Sequence, residues 1–427
     1  MESKGHINRY LPVAILYFFF NSLFLPLGLL YTTLLAPIFF IWVCLKRKPT
    51  GIFYYLSAVL AFACIHIWNG ANPLYYLQSS VILLATYIFC LSFYVFVRNT
   101  GSLRSLFKDL VIINAVFTVL ALILFPVPGL RELVWYNNSI TSGVKDVQRL
   151  KMFTYEASYY STLLAPLVLY YGLKALILKP AQRWLLFSLV TVPVLLSLSF
   201  GVISALFLTV VFVYLSDLRL LVENRKTIRI VAVAGLAGLL GVIILYKLSP
   251  NNVLFVRLGN IFEGKDTSFR GRTTDSFFIA WRVASKKSIL FGVGPGQIKL
   301  LAVDILRQFY RSNTFTQANT SIPNSLAETL AIYGIIGMVA RLGAEIYFFF
   351  RTKVYTNYYR LGLFLFIFIY QFTGSFITNI AEYVIWILAF TQGLFPEFDK
   401  WRRNAEGSFP VAEAGAREEP DLPGLSS

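Results

Sequence analysis

Charge is scarce in this chain: Asp, Glu, Lys and Arg make up only 14% of its 427 residues, against about a quarter in an ordinary soluble domain. Acids are the scarcer sign, 21 against 38 Lys and Arg. Histidine occurs only at His6 and His66, and cysteine only at Cys44, Cys64 and Cys90, dispersed through apolar stretches. Scattered thiols exclude a cysteine-based zinc site and argue against a disulfide scaffold. There is no HExxH, no Walker phosphate loop, and no carboxylate cluster with the spacing that holds magnesium or calcium. We therefore expect neither metal nor cofactor, and any chemistry must come from arginines and carboxylates. The net charge of +17 would suggest nucleic acid in a soluble protein. Here much of it marks membrane topology, and no nucleic-acid role is expected.

What the chain has instead is hydrocarbon: 57% hydrophobic residues, 17% of all residues being aromatic. Apolar runs of roughly 20 residues, enough to cross a bilayer, recur from residue 10 to residue 395. The expectation is an all-α polytopic membrane protein with about twelve transmembrane helices and a large external loop carrying short amphipathic helices. The spans read as 10–27, 29–45, 51–68, 76–97, 109–126, 156–178, 184–200, 202–217, 229–248, 325–350, 360–378 and 381–396. No cleavable signal peptide is expected, because the apolar run after Tyr10 continues past signal length. Residues 1–403 then form one integral membrane domain. The stretch 404–427, rich in Ala, Glu, Pro, Gly and Ser, reads as a disordered cytoplasmic tail.

Basic residues sort the connections. Lys46–Lys48, Arg98–Lys108, Lys174–Arg183, Arg219–Arg229 and Arg351–Arg360 fall on one side, and the short alternate turns Asn69–Tyr75 and Thr378–Ile380 carry no cation. By the positive-inside bias both termini are cytoplasmic. Two outer connections break the pattern, 127–155 and 249–323. The longer one holds ten basic residues against only Glu263, Asp266, Asp275 and Asp304, an excess topology does not require. An anion would explain it.

Within that loop, Thr274–Leu290 reads as a helix with Phe277, Trp281 and Ala284 on one face and Arg282, Lys286 and Lys287 away from it. It suits either the lipid interface or packing on the membrane domain with a solvated basic face. A second helix, Leu300–Tyr310, aligns Leu301, Ile305 and Phe309. Between them Gly292-Val293-Gly294-Pro295-Gly296 reads as a tight turn; a phosphate loop needs a preceding strand and tolerates Pro295 poorly.

Among the candidate side chains, Glu156 lies where the 127–155 segment enters a span, a costly place for an unpaired acid. It is read as a general base or as an ion-pair partner for Arg149 or a loop arginine. Glu345 pairs with Arg341 one turn earlier. Glu328 and Glu382 lie near outer ends, where water is the simplest partner. His66 is a base or a packed interfacial residue. Arg270, Arg272 and Arg282 are the sharper signal: guanidinium is permanently charged and forks onto phosphate oxygens, so it holds pyrophosphate without a metal.

These motifs in order, Gly271-Arg272, Trp281-Arg282, Leu290-Phe291-Gly292-Val293-Gly294-Pro295-Gly296-Gln297 and Pro323-Asn324-Ser325 leading to Gly334-Ile335-Ile336-Gly337, resemble the O-antigen polymerase and O-antigen ligase superfamily across roughly residues 145–395. The stretch from Arg149 to Glu156-Ala157-Ser158 is similar to one in exopolysaccharide polymerases. The resemblance implies a metal-independent membrane glycosyltransferase of the bacterial inner membrane with a periplasmic active site. Its implied substrate is undecaprenyl-pyrophosphate-linked glycan, with membrane lipid and a chain-length regulator protein as further partners. On that reading Glu156 and Arg272 are catalytic, Arg149, Arg270 and Arg282 bind pyrophosphate, and Asn324 positions sugar or phosphate. Two departures stand out. Ligases carry His-Asn where this chain has Pro323-Asn324, and relatives often carry Ser-Arg-Gly where it has Ser199-Phe200-Gly201. Both tilt the expectation toward a polymerase of lipid-linked repeat units. The rivals are a ligase transferring glycan to lipid A core or protein, and a lipid-linked oligosaccharide flippase.

Overall fold

The computed structural model describes residues 10–46, 50–100, 102–138, 147–178, 182–217 and 267–400, with Ile244, Lys247, Gly259 and Glu263 as isolated positions between them. Apart from those positions, the expected span 229–248, the first part of the long loop and the tail 404–427 lie outside the described residues. In chain order the helices are α1 (Leu11–Phe19), α2 (Tyr31–Leu34), α3 (Ala36–Lys46), α4 (Thr50–Trp68), α5 (Pro73–Asn99), α6 (Arg104–Leu124) and α7 (Pro128–Val134). After a strand pair come α8 (Ala157–Leu178), α9 (Gln182–Leu196), α10 (Phe200–Ser216), α11 (Thr267–Arg272), α12 (Thr274–Ala284), α13 (Ile298–Tyr310), α14 (Ser325–Arg351), α15 (Tyr358–Tyr370) and α16 (Ile380–Phe390).

Five of these, α4, α5, α6, α8 and α14, are long and apolar enough to cross a membrane; α3, α9, α10, α15 and α16 are shorter apolar helices. The protein is a helical, membrane-embedded one, but twelve full spans are not reached among the described residues. The first two expected spans are broken up. Helix α1 stops at Phe19, and a turn through left-handed Phe24, Pro26 and left-handed Gly28 precedes α2. Proline lacks the backbone donor that a continuing helix needs.

One small correction to an all-helical chain falls in the 127–155 segment. Strands β1 (Trp135–Asn138) and β2 (Val147–Leu150) pair antiparallel, Trp135 opposite Leu150 and Tyr136 opposite Arg149. Trp135 and Leu150 are buried, and the Trp135 indole donates to the Ala121 carbonyl at 2.9 Å. An indole N–H buried without such a partner would be costly. The hairpin thereby aims Arg149 at the membrane domain.

Helix α8 is the axis of the larger core. Its span is 89% buried against 11% for α4, so α8 is wrapped by α9, α10, α15 and α16 while α4 leaves most of its surface to lipid. A second, smaller core joins α12, α13 and α14. Four helices start on asparagines whose side chains accept from their own first turn: Asn72 for α5, Asn324 for α14, Asn357 for α15 and Asn379 for α16. Each satisfies a donor left open at a helix start.

Helix α14 is not one rod. Gly334 inside it has φ 68° and ψ −167°, a conformation essentially reserved for glycine. The Arg341 guanidinium donates to the Ser325 carbonyl at 3.2 Å and to Thr329 Oγ1 at 3.0 Å. Sixteen residues of straight helix would separate Arg341 from Ser325 by about 24 Å, beyond any arginine's reach. The helix therefore folds back at Gly334 into two arms, 325–333 and 335–351. Segment 289–294 threads the break. Val293 N and Gly294 N donate to the Ala331 and Ile332 carbonyls at 3.0 and 2.9 Å, while Ile335 N and Ile336 N donate to the Ile289 and Leu290 carbonyls at 3.0 and 3.1 Å. The groups orphaned by the break are thus paired across it.

Candidate anion site at the start of α8

Glu156 and Arg272 come from segments 116 residues apart and meet at 3.3 Å. On the Glu156 side, the carboxylate Oε1 also accepts from Ser158 Oγ at 2.5 Å. Thr154 Oγ1 donates to the Glu156 carbonyl at 3.1 Å and to the Lys151 carbonyl at 2.6 Å, shaping the turn that delivers Glu156 to α8. Both side-chain contacts fall on Oε1; among the described residues Oε2 has no hydrogen-bond partner. Arg272 ends the short helix α11. Burial opposes its charge most strongly, but the surrounding groups, the Glu156 carboxylate foremost, together hold the guanidinium above its ordinary value. Its side chain is still 34% exposed, so a ligand can reach it.

Asn324 does something other than face a ligand. It is fully buried. Its Nδ2 donates to the Arg272 carbonyl at 2.8 Å and to the Phe372 carbonyl at 2.7 Å, and its Oδ1 accepts from Ala327 N at 2.9 Å. Both amide hydrogens are spent. Asn324 fastens the Arg272 backbone to the start of α14 and acts on the site through Arg272.

Arg149 is buried as well and approaches from β2. Its Nε donates to the Ser197 carbonyl at 3.0 Å and its Nη2 to Ser199 Oγ at 3.2 Å. Ser161 of α8 links to the same turn through Ser197 Oγ at 2.5 Å, and donates to the Ala157 carbonyl. Glu156 is thus tied to the first turn of α8 through Ser158, and Arg149 to its second through the 197–199 turn and Ser161. Because Arg149 lies against the Ser199-Phe200-Gly201 turn, it places a guanidinium beside Phe200.

The other two arginines stand apart. Arg270 pairs with Asp275 at 3.5 Å and is about half exposed. Arg282 is exposed on α12 and stacks over the Phe278 ring at 4.5 Å; no described contact joins it to Glu156 or Arg272. The three residues read as one face of α12 are divided, with Phe277 half-buried. Ser276, Ile279, Ala280 and Val283 are buried, Ala284 with them, while Trp281 points outward.

His66 is packed, the blander of its two readings. It is buried, with Nε2 at 2.7 Å from the Phe291 carbonyl and Nδ1 at 3.2 Å from Tyr76 Oη. The glycine turn is the tight turn expected. Gly292, Gly294 and Gly296 all have positive φ, and a Cβ on Gly296 would lie 2.2 Å from the Tyr75 carbonyl oxygen. Gln297 closes it by exchanging hydrogen bonds with the Asn72 backbone at 2.9 and 3.0 Å. This motif clips α4 and α5 to the broken α14.

Two acids differ from expectation. Glu382 is buried rather than water-facing, paired with Arg341 and accepting from Ser375 Oγ at 2.6 Å. Glu328 accepts from Ile377 N at 2.8 Å. The expected Arg341–Glu345 pair is present at 3.2 Å, with Gln371 completing Glu345 at 2.7 Å. One guanidinium thus staples both arms of α14 to α16. Nothing in the spacing of Glu382 announced this, because the pairing depends on the fold-back at Gly334. No family model matches the chain, and no curated protein matches it either.

Proposed function

We propose that this protein is a membrane glycosyltransferase that polymerises polyprenyl-pyrophosphate-linked oligosaccharide units. The observation that carries the reading is the meeting of Glu156 and Arg272, an acid and a permanent cation, with a second guanidinium, Arg149, anchored to the same helix start. In this mechanism an incoming pyrophosphate oxygen takes Arg272 from Glu156. The released carboxylate, oriented by Ser158, accepts the proton of an acceptor sugar hydroxyl. That oxygen bonds to the anomeric carbon of the donor, and the bond from that carbon to the pyrophosphate oxygen breaks. The electron pair leaves with polyprenyl pyrophosphate, whose growing charge the fixed guanidiniums stabilise. Arg149 at the Ser199–Gly201 turn takes the place of the arginine this chain lacks at position 200. The undecaprenyl carrier, the periplasmic face and the bacterial inner membrane belong to this proposal.

The test is turnover of purified lipid-linked oligosaccharide in detergent, following both longer glycan and released polyprenyl pyrophosphate. Glu156→Gln, Arg272→Ala and Arg149→Ala, each folded, are expected to lose about a hundredfold or more in rate, the scale of one general base or one charge-stabilising group. Unchanged turnover in Arg272→Ala overturns the site. Translocation of the substrate without any new glycosidic bond overturns the reaction class.

A further inference from the structure

The outward face of α12 is built in an unusual way for a surface in water. Thr274, Phe278, Trp281, Arg282 and Ser285 are exposed and recur at the spacing of one helical face, opposite the buried Ser276, Ile279, Ala280 and Val283. Phe278 is 44% and Trp281 47% exposed, and Leu290 beyond the helix is open too. The charges beside these rings are all positive: Arg282, Lys286 and Lys287 are exposed.

The level of this face is set by a contact. Lys287 Nζ donates to the Gly70 carbonyl at 3.1 Å, in the turn between α4 and α5. Helix α4 has 19 residues, about one hydrocarbon thickness, so its end marks a bilayer boundary. Its last residue, Trp68, is 90% exposed, as expected of an aromatic at headgroup level. The C-terminal end of α12 is therefore held close to that level, with the rings and the cations together on its outward face.

We propose that this face is a docking surface for anionic phospholipid headgroups. Phe278 and Trp281 enter the acyl–headgroup boundary, while Arg282, flattened over the Phe278 ring, and Lys286 meet the lipid phosphates. Charge complementarity selects the occupant: rings immersed beside cations, with no acid on the outward face, fit an anionic bilayer surface. The inference does not rest on glycosyl transfer, and it gives Arg282 a role apart from Glu156 and Arg272.

The experiment uses the full chain in nanodiscs, with Cys44, Cys64 and Cys90 replaced by Ser. Single nitroxide or fluorescent labels are placed through Phe278→Cys or Trp281→Cys, and through Ser312→Cys in an exposed polar turn as the aqueous control. Quenching by lipid-borne and by water-soluble quenchers is compared in phosphatidylcholine with and without phosphatidylglycerol. The expected result is lipid-borne quenching at 278 and 281 about twofold or more above that at 312, rising further with the anionic lipid. Adding Arg282→Glu and Lys286→Glu should remove the rise and leave the protein folded. Water accessibility at 278 and 281 equal to that at 312 overturns the proposal. Immersion independent of phosphatidylglycerol overturns the choice of occupant.

Discussion

Replacing Gly334 with alanine tests the fold-back of α14 directly. The backbone there has φ 68° and ψ −167°, and forcing a side chain into that region costs about 1–3 kcal/mol. Space is refused as well. The new Cβ would lie 2.3 Å from the Leu290 carbonyl oxygen and 2.5 Å from Phe291 N, so the two arms and segment 289–294 must separate. Four backbone hydrogen bonds cross that junction, each worth about 1 kcal/mol net. Losing half of them together with the strain gives a destabilisation of about 3–5 kcal/mol, or two to four powers of ten in the folding constant. Gly343→Ala, in the same helix, is the matched control. A Cβ there meets nothing within 4 Å, and the change should be neutral or gain up to about 1 kcal/mol. The unfolding midpoint of both full-length variants in one detergent, followed by intrinsic fluorescence, reads the difference. Equal midpoints would refute a left-handed break at Gly334, and with it the contact between Arg341 and Ser325.

Asn324→Ala should destabilise by about 2–4 kcal/mol, combining a lost cap with two buried carbonyls deprived of donors, and should lower turnover because Arg272 loses its tether; stability and rate measured on one preparation check both. Arg341→Met leaves Glu345 and Glu382 buried without their cation and should cost about 3–5 kcal/mol, whereas Arg341→Met with Glu345→Gln and Glu382→Gln should recover most of it. Additive unfolding midpoints across that set would contradict a shared network. His66→Leu removes a donor from the Phe291 carbonyl and should cost about 1–3 kcal/mol with the shape of the turnover–pH profile retained; a folded variant with no turnover would make His66 a base after all.

What could be read from the sequence was whatever depends on composition and local period. Helix α13 starts within two residues of its expected place, with Ile305 buried and Leu301 and Phe309 packed on the same core. The Arg341–Glu345 pair needs only one helical turn, and the Gly292–Gly296 turn only its glycines. The misreadings share one cause, long-range geometry. Hydropathy registers 325–350 as a single span because it senses side chains and not the φ of Gly334. The face of α12 was read as Phe277, Trp281 and Ala284 turned to lipid or to the membrane domain, but the fold divides the three, Ala284 inward and Trp281 outward. At the site, Arg272 and Glu156 were legible as chemistry and an ion pair with a loop arginine as one reading of Glu156, but not which arginine it takes, and Asn324 was legible as important without revealing that it serves the Arg272 backbone.

The fold-back of α14 also has a consequence for depth. Since Arg341 touches Ser325, only 342–351 continue beyond the level at which the helix began, about 15 Å of travel against a hydrocarbon layer of about 30 Å. Ser325, and with it Asn324 and the Arg272 backbone it holds, therefore lies beside the middle of the second arm of α14. The arm 325–333 borders Arg272 on one side, through Asn324, and the start of α8 borders it on another, through Glu156. Under the proposed function, a phosphate that meets this partly buried guanidinium is attracted more strongly than one that meets an open surface arginine. On that proposal the tether of a bilayer-anchored substrate brings it to these elements from the side, a route that a water-soluble competitor lacks.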